Sequence, residues 1–307
     1  MLNRRSFLKQ SSKASLGALL LTTNFPEFRS PLAMPAPGLQ LFTFFNSIDA
    51  DVNGTLQKVA DVGYKNIESA FSRKGGYYGM KPKEFAALLT GMGMSWKSHH
   101  VLGAPFKLPP NTKPPVDADG KPITIPPMKN LRDNFQELVD DAATGGVEYL
   151  VCANTPITTT EDIKTSIATL NKTGEAAAKA GIQFAYHNHD AEFKPVEGKI
   201  PYDLFLTETD QKFVKMELDI AWAIKGGADP VALVKKNPNR FPLWHIKDLD
   251  ASREKVLPLG EGTIDFKPVF QAAVTSGMKY YFIEHDMPAD AFKSITTSFA
   301  NLKKLTA

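Results

Sequence analysis

All six histidines of this 307-residue chain lie where a predicted β-strand meets a loop. Five of them fall in three clusters, His99-His100, His187-Asn188-His189 and His245-Ile246-Lys247-Asp248, and the sixth is His285, which follows Glu284. Imidazole nitrogens and carboxylate oxygens that converge on one place are the ligands of a transition-metal site. The residues that could do chemistry are therefore concentrated at strand ends, and the fold must bring those ends together.

From residue 38 onward the chain alternates β-like runs with amphipathic helical stretches, which is typical of a parallel α/β protein. Eight strands are predicted: Leu39–Phe44, Lys65–Ser69, Ser95–His99, Tyr149–Ala153, Gln183–His187, Val214–Asp219, Leu243–Lys247 and Tyr280–Glu284. Eight β/α units favour a closed (β/α)8 TIM barrel of a single domain, since such barrels have about 250 residues. In this fold the carboxyl ends of all eight strands share one rim, where the histidines would meet.

Four consecutive predicted strands end in a side chain that can ligate a metal: His187, Asp219, His245 and Glu284. Each residue alone has a simpler explanation. Asp219 could cap a helix, His245 could be a hydrogen-bonded core histidine, and Glu284 could be an exposed charge. Because helix capping does not account for four such strand ends in succession, we predict that these residues bind one divalent metal ion.

The first 34 residues indicate an export signal. Arg4 and Arg5 precede Phe-Leu-Lys and a short, weakly apolar stretch, which resembles a twin-arginine leader. A basic amphipathic helix is the alternative. Residues 35–307 would then form the mature, periplasmic domain, with 31 basic against 32 acidic side chains. This near-neutral charge argues against a nucleic-acid partner held through phosphates, and no apolar run of about 18 residues predicts a membrane span.

One segment interrupts the β/α alternation. Residues 105–127 contain eight prolines and follow the third predicted strand, so the segment lies on the catalytic rim. It is too long and too rigid for an ordinary connection between a strand and a helix. We interpret it as a lid over the substrate, with a contact between identical subunits in a homo-oligomer as the alternative.

Several short runs of the chain are distinctive as an ordered set: Gly38–Thr43 (GLQLFT), Gly63–Glu68 (GYKNIE), Ala185–Phe193 (AYHNHDAEF), Glu217–Asp219 (ELD), His245–Asp248 (HIKD), Leu259–Phe266 (LGEGTIDF) and Ile283–His285 (IEH). Together they resemble the sugar phosphate isomerase/epimerase family, whose members have a xylose-isomerase-like TIM barrel. The resemblance spans roughly residues 38–300.

The resemblance implies a divalent metal held by a carboxylate, an Asp, a His and a Glu from the last four strands. In the ketose epimerases of the family the first ligand is a Glu that also acts as a base, and the matching residue here is His187. A neutral imidazole still ligates metal, and the mixed nitrogen and oxygen set suits Mn, Zn, Co or Fe better than Mg. The change removes one of the two carboxylate bases that an epimerase would use.

The implied mechanism is proton abstraction beside a carbonyl, with the metal polarising that carbonyl. Glu284 would be a ligand and the catalytic base, and His187 would also belong to the catalytic set. Lys247 would protonate or stabilise the developing oxyanion, although a solvated lysine is the simpler reading. Glu68 and His99 would hydrogen-bond substrate hydroxyls, and Trp222 would stack on a sugar face.

The remaining histidines, His100, His189 and His285, have supporting or structural roles in this interpretation. Neighbouring residues of a strand point to opposite faces, so only one member of each pair can reach the metal.

Three functions remain open. The first is a metal-dependent isomerase or epimerase of a non-phosphorylated sugar, because an exported protein without a glycine-rich phosphate loop does not suggest a phosphosugar. The second is a lyase or hydratase acting on a keto-sugar or keto-glycoside. The third is a sugar-binding barrel without activity, against which the intact Asp219, His245 and Glu284 argue. A DNA-repair endonuclease of the same superfamily would need a His where this chain has Trp222.

Overall fold

Eight parallel strands close into a barrel in the computed structural model, which describes residues 34–106 and 128–306. The predicted leader, residues 1–34, lies outside the described residues except at its end, as does nearly all of the proline-rich segment. The strands of the described residues are β1 (Gly38–Gln40), β2 (Asn66–Ser69), β3 (Ser95–Leu102), β4 (Tyr149–Asn154), β5 (Gln183–His187), β6 (Val214–Asp219), β7 (Leu243–Ile246), β8 (Asp248–Leu249), β9 (Val256–Leu257) and β10 (Tyr280–Ile283).

The barrel is formed by β1 to β7 and β10, and β1 pairs with both β2 and β10, which closes the sheet. The two short strands β8 and β9 form a separate antiparallel pair after β7. The predicted (β/α)8 TIM barrel is therefore confirmed. Each parallel pairing places the carboxyl ends of neighbouring strands on the same rim, as the sequence analysis required.

Helices connect the strands and pack around the barrel. The described ones are α1 (Val52–Val62), α2 (Pro82–Gly91), α3 (Leu131–Gly145), α4 (Thr160–Lys179), α5 (Pro201–Glu208), α6 (Ile220–Lys225), α7 (Pro230–Lys236), α8 (Phe266–Thr275) and α9 (Ala291–Thr306). Several begin at a side chain that accepts a backbone N–H, such as Asp51 for α1 and Thr159 for α4. None of these described helices has the length and apolar character needed to cross a bilayer.

The first strand is shorter than predicted. The run Leu39–Phe44 was expected to be extended, but β1 ends at Gln40 and Leu41–Phe44 form a 3-10 turn. The reason is local, because the Gln40 side-chain oxygen accepts the backbone N–H of Phe42 at 3.0 Å and starts the turn. The apolar residues of this run still enter the core, which is why their pattern predicted a strand.

The barrel interior is layered from apolar to polar toward the rim. A small cluster of Tyr149, Val151, Ala185, Leu243 and Phe282 fills the floor. Because side chains alternate along a strand, the residues two positions after Leu243 and Phe282 point the same way. These are His245 and Glu284, and the polar layer that contains them lies above the apolar floor.

Candidate metal and catalytic centre

Three neighbouring strands supply most of the inward-facing charges. Strand β6 presents Glu217 and Asp219, β7 presents His245 with Lys247 directly after it, and Glu284 follows β10. All five side chains are at least 95% buried. Their spacing of two residues along each strand is what places them on the inner face of the barrel.

Asp219, His245 and Glu284 form a group that we call the outer set, because it lies at the carboxyl ends of its strands. One ligand atom of each residue lies within 4.8 Å of the other two. His245 Nδ1 is 2.8 Å from Glu284 Oε2 and 3.8 Å from Asp219 Oδ2. The structure thus brings together three of the four predicted metal ligands.

Lys247 extends its ammonium into the same group. Its Nζ is 2.7 Å from Glu284 Oε2, 3.0 Å from Asp219 Oδ2 and 3.0 Å from Asp286 Oδ2. Burial alone would lower the pKa of Lys247, but the carboxylates of Asp219, Asp286 and Glu284 raise it well above its ordinary value. Lys247 is therefore a buried ammonium that stays charged at neutral pH, and the simpler interpretation as a solvated lysine does not fit its 1% exposure.

Glu284 is the carboxylate next to this ammonium. Burial alone would raise its pKa, but Lys247 and His245 outweigh that effect and hold the pKa of Glu284 below its ordinary value. The carboxylate is ionised at neutral pH and can accept a proton. Asp219 differs, because burial raises its pKa even though Lys247 and His245 act in the opposite direction.

His187, the fourth predicted ligand, lies between two carboxylates. Its Nδ1 is 3.0 Å from Glu217 Oε2, and its Nε2 is 3.9 Å from Asp219 Oδ2. Burial, and then the neighbouring His245, lower the pKa of His187 well below its ordinary value, so the imidazole is neutral. A neutral imidazole suits a metal ligand, and Nε2 is the atom that faces the outer set.

His100 contacts the interior cluster, whereas His99 does not. His100 Nε2 is 2.6 Å from Glu217 Oε2. His99 Nδ1 hydrogen-bonds the Ser69 hydroxyl at 2.8 Å and packs against Trp96 and Tyr77. The structure thus places His100, to which the sequence analysis gave a supporting role, in the carboxylate cluster, whereas the predicted contact of His99 with a substrate stays a prediction.

A register shift explains why His100 rather than His99 contacts the cluster. Ile67 pairs with Trp96, but the next residue, Glu68, pairs with Ser98. The extra residue in β3 reverses the alternation of side chains, so a pattern counted from Trp96 assigns the wrong face to the residues that follow.

Glu68 is fully buried and hydrogen-bonded within the protein. Gln40 Nε2 donates to its Oε1 at 2.7 Å, the Ser98 hydroxyl donates to its Oε2, and His245 Nε2 lies 2.5 Å from Oε1. Although burial and the nearby Glu217 oppose it, His100 and His245 lower the pKa of Glu68. Its carboxylate orients the histidines rather than reaching a substrate hydroxyl as predicted.

Trp222 lies beside the outer set. Its backbone N–H donates to Asp219 Oδ1 at 2.9 Å, and Lys247 Nζ lies 5.3 Å from the centre of its ring. The indole Nε1 is buried and has no hydrogen-bond partner among the described residues. Trp222 thus lies against Asp219 and Lys247, and its stacking on a sugar face stays a prediction.

A cavity of about 90 Å³ opens onto these groups. Its walls include Lys247, Glu284, Asp286 and His187, and its apolar side is formed by residues such as Phe42. A second cavity of about 290 Å³ also reaches His100 and extends to Lys129, which lies close to the end of the proline-rich segment. The site therefore continues toward the part of the rim where the lid was predicted.

The ligand atoms of the outer set, two carboxylates and one imidazole, suit a divalent ion. Asp219 Oδ2 is buried and forms an ion pair with the Lys247 ammonium at 3.0 Å, and the same ammonium lies 2.7 Å from Glu284 Oε2. A positive charge is already favoured at this position. His245 faces a carboxylate through each ring nitrogen, and the carboxylates of Glu217, Glu68 and Glu284 outweigh burial and raise its pKa. An ion that binds His245 Nδ1 must therefore displace a proton.

The residue after Lys247 organises a loop on the other face of the sheet. Asp248 Oδ1 accepts the backbone N–H of Leu249 and of Ile264 at 2.9 and 3.1 Å, and Oδ2 accepts those of Gly260 and Gly262, each at 2.9 Å. This carboxylate joins the two sequence runs that the resemblance quoted, HIKD and LGEG. Its role is structural, since it fixes the loop beside the strand that carries His245 and Lys247.

Two residues of the centre were missed in the sequence, Glu217 and Asp286. Glu217 lies two positions before Asp219, so the alternation of a strand already places both on the same face. That signal was available in the run Glu217–Asp219. Asp286 follows β10 by three residues in a loop, where no periodicity indicates a direction.

Comparisons with known proteins agree with this architecture. The family described as Xylose isomerase-like TIM barrel matches residues 56–305. An inosose dehydratase from Geobacillus thermodenitrificans is 30% identical over 156 residues, which is 45% of this chain and 52% of that protein. An inosose dehydratase from Clostridium beijerinckii is 27% identical over 144 residues, 41% of this chain and 48% of that protein. These matches span about half the length of the curated relatives.

Solved structures match over nearly the whole chain. A sugar phosphate isomerase/epimerase from Parabacteroides distasonis is 28% identical with a TM-score of 0.72, and the match covers 89% of this chain and 99% of that one. The IOLI protein with a bound zinc atom has a TM-score of 0.65 at 15% identity, covering 89% and 98%, and at that identity the likeness concerns the fold alone.

Proposed function

The chain belongs to the xylose isomerase-like TIM barrel family, and we propose that it is a metal-dependent lyase of the dehydratase type. In this proposal the enzyme removes a proton next to the carbonyl of a non-phosphorylated keto-sugar or keto-cyclitol and expels the group on the neighbouring carbon. The match to inosose dehydratases, together with the geometry of Glu284 and Lys247, supports this choice over isomerisation.

The observation that carries the proposal is a base and an acid on the same wall of the cavity. The Glu284 carboxylate and the Lys247 ammonium lie on adjacent strand ends, 2.7 Å apart. Glu284 accepts the α-proton through its carboxylate oxygen, and the electrons of the C–H bond pass into an enediolate. The enediolate then collapses to restore the carbonyl and form the new carbon–carbon double bond, and Lys247 Nζ donates a proton to the leaving oxygen as the carbon–oxygen bond breaks. Both transfers occur on one face of the substrate, which is a syn elimination.

A divalent ion bound by Asp219, His245 and Glu284, with His187 Nε2 as the nearest fourth donor, would polarise the substrate carbonyl. The chain's own residues prepare this position. Asp219 Oδ1 is fixed by the backbone N–H of Trp222, which leaves Oδ2 facing Lys247 Nζ and His245 Nδ1. The carboxylates of Glu284 and Asp286 line the same cavity, so the phosphate of a phosphosugar would meet like charges there.

An epimerase needs proton transfer on both faces of the substrate. The residue at the position of the epimerases' first carboxylate is His187, whose Nδ1 is 3.0 Å from Glu217 Oε2 and whose pKa is lowered by burial. Because Nδ1 is already engaged with Glu217, this chain lacks at that position the carboxylate that the ketose epimerases use as a base. Isomerase or epimerase activity is the second candidate, and the similarity to the Parabacteroides distasonis structures favours it.

Solvent-deuterium exchange tests the proposal. Purified enzyme loaded with Zn²⁺, Co²⁺ or Mn²⁺ is incubated in deuterated buffer with a panel of keto-sugars, keto-glycosides and an inosose, and products are identified by NMR. We expect deuterium at the α-carbon and release of water or of the glycosidic alcohol. Glu284→Gln should reduce both by at least about 100-fold, since a positioned base contributes 10²–10⁴. Lys247→Met should retain exchange but lose elimination.

Glu261→Gln, an exposed glutamate in the loop after β9, is the matched control and should leave the rates unchanged. Clean epimers as the main product would favour the second candidate. Turnover in which the substrate keeps its α-hydrogen would contradict enolisation and both candidates together.

A further inference from the structure

A second group of metal-competent side chains lies on the inner side of His245. It consists of His100, His187, Glu217 and His245, which we call the inner set. The residues come from β3, β5, β6 and β7, and each is at least 94% buried. Two of them, His100 and Glu217, belong to no group considered for the proposed reaction.

Three imidazole nitrogens converge on a single oxygen, Glu217 Oε2. His100 Nε2 is 2.6 Å from it, His187 Nδ1 is 3.0 Å and His245 Nε2 is 3.2 Å. One ligand atom from each of the four residues lies within 4.8 Å of the others. The rings are closely packed, with His100 and His245 stacked at 5.2 Å and His187 at 4.5 Å from His245.

The other oxygen of the same carboxylate gives an independent indication. Glu217 Oε1 is buried and has no hydrogen-bond partner among the described residues. A buried carboxylate oxygen without a partner is costly, and proteins normally satisfy such an atom with a donor or a cation. Three imidazoles contact Glu217 Oε2, whereas Oε1 has no partner among the described residues, so this carboxylate can still accept a bond from a ligand.

Three imidazole nitrogens and one carboxylate oxygen are a donor set that zinc and its neighbours accept in tetrahedral geometry. We propose that the inner set binds a divalent transition-metal ion of the zinc class. Ligand atoms around such an ion are about 3.4 Å apart, given bonds of about 2.0–2.2 Å. The three imidazole nitrogens, which now lie 2.6, 3.0 and 3.2 Å from Glu217 Oε2, must therefore move away from that oxygen by less than about 1 Å to admit the ion.

The inner set is distinct from the outer set in the atoms that it uses. His245 presents Nε2 to the inner set and Nδ1 to the outer set. His187 likewise presents Nδ1 to Glu217 and Nε2 toward Asp219. Because a neutral imidazole has one free lone pair, an ion at the inner set is held without Asp219 or Glu284. The proposal therefore does not depend on the reaction proposed above.

The test uses a background in which the outer set is impaired. Asp219→Asn removes the carboxylate ligand, while asparagine still caps α6 because it is as good an N-cap as aspartate. The full mature chain with this substitution is stripped of metal and titrated with Co²⁺. We expect about one bound ion per chain with the visible absorption of tetrahedral Co²⁺, and X-ray absorption should count three imidazoles.

Adding His100→Gln or Glu217→Gln to this background should weaken Co²⁺ binding by more than about 100-fold. Loss of a residue that only hydrogen-bonds to a metal ligand weakens binding by about 10- to 100-fold, so the larger effect identifies a direct ligand. His99→Gln is the matched control, because His99 is the adjacent buried histidine on the same strand and contacts Ser69 instead. It should bind Co²⁺ as the background does.

The proposal is overturned if the Asp219→Asn protein binds no Co²⁺, if the bound ion has two imidazoles or fewer, or if His100→Gln and His99→Gln behave alike. Circular dichroism reports whether each variant is folded. Should Glu217→Gln unfold, the imidazole count in the Asp219→Asn protein and the comparison of the two histidine variants still decide the question.

Discussion

Replacing Asp248 with asparagine perturbs the loop Leu259–Ile264 without touching the cavity. The carboxylate is 1% exposed and accepts four backbone N–H groups, two on each oxygen. Asparagine keeps one carbonyl oxygen, so two of the four donors lose their acceptor and face an NH2 group instead. We therefore expect the loop to lose part of its attachment to β8.

The magnitude follows from those two donors. A buried donor left without an acceptor costs about 1–3 kcal/mol, so the free energy of unfolding should fall by roughly 2–6 kcal/mol. For a domain of this size 1 kcal/mol corresponds to about 2 °C, and the melting temperature should drop by about 4–12 °C. The close approach of the loop to this side chain requires glycine at position 262, because a Cβ there would lie 2.2 Å from Asp248 Oδ1.

The assay is thermal and urea unfolding of residues 35–307 with a chelator present, so that metal binding does not contribute to stability. Asp61→Asn is the control, since Asp61 is exposed on α1 and accepts a hydrogen bond from Gln57 alone. It should change the stability by less than about 0.5 kcal/mol.

Hydrogen exchange at the amides of Gly260, Gly262 and Ile264 distinguishes local opening of the loop from global unfolding. These amides should exchange faster in Asp248→Asn than in the unsubstituted protein, even if the loop opens locally without unfolding of the barrel. A loss of stability below about 1 kcal/mol, together with unchanged protection of all three amides, would refute the reasoning.

Two further predictions concern acid stability and export. Burial, and then the neighbouring His100, lower the pKa of His99 to about 3 in the folded protein. In the unfolded chain His99 binds a proton near its ordinary pKa, so acid favours unfolding. The stability that the neutral His99 contributes is complete above about pH 6.5 and is lost toward pH 3, at up to about 1.4 kcal/mol per pH unit. Between about pH 6 and pH 4, the free energy of unfolding should therefore depend less steeply on pH in His99→Gln than in the unsubstituted protein. Equal slopes in the two proteins would contradict this. We also propose that replacing Arg4 and Arg5 together by lysine leaves folded protein in the cytoplasm, which cell fractionation would show, and undiminished periplasmic protein would count against the leader.

The sequence predicted the barrel well because its signals are repeated. Each β/α unit adds the same alternation of apolar strand and amphipathic helix, so an error at one boundary does not change the topology. The first strand illustrates this, since Leu41–Phe44 form a turn and the barrel is unaffected. The gathering of histidines and carboxylates at one rim followed from the topology alone.

The orientation of individual side chains was harder to predict. A strand alternates only while its pairing is regular, and the shift between Ile67 and Glu68 reverses the faces for His99 and His100. Nothing in the residue types marks this position, because it depends on how two strands pair. Glu217 is the opposite case, since its spacing of two residues from Asp219 indicates the same inward face even though it does not lie at the end of its strand.

Asp219 shows why a structural and a functional explanation of one residue need not compete. The sequence analysis treated helix capping as an alternative to metal binding. In the structure Oδ1 caps α6 by accepting the N–H of Trp222 at 2.9 Å, while Oδ2 lies 3.0 Å from Lys247 Nζ. The cap holds the carboxylate in a single orientation, so that its second oxygen is directed at the site before any ligand binds. A residue at the junction of a barrel strand and its helix can therefore be a cap and a ligand at once, and the capping bond is what gives the ligand its direction.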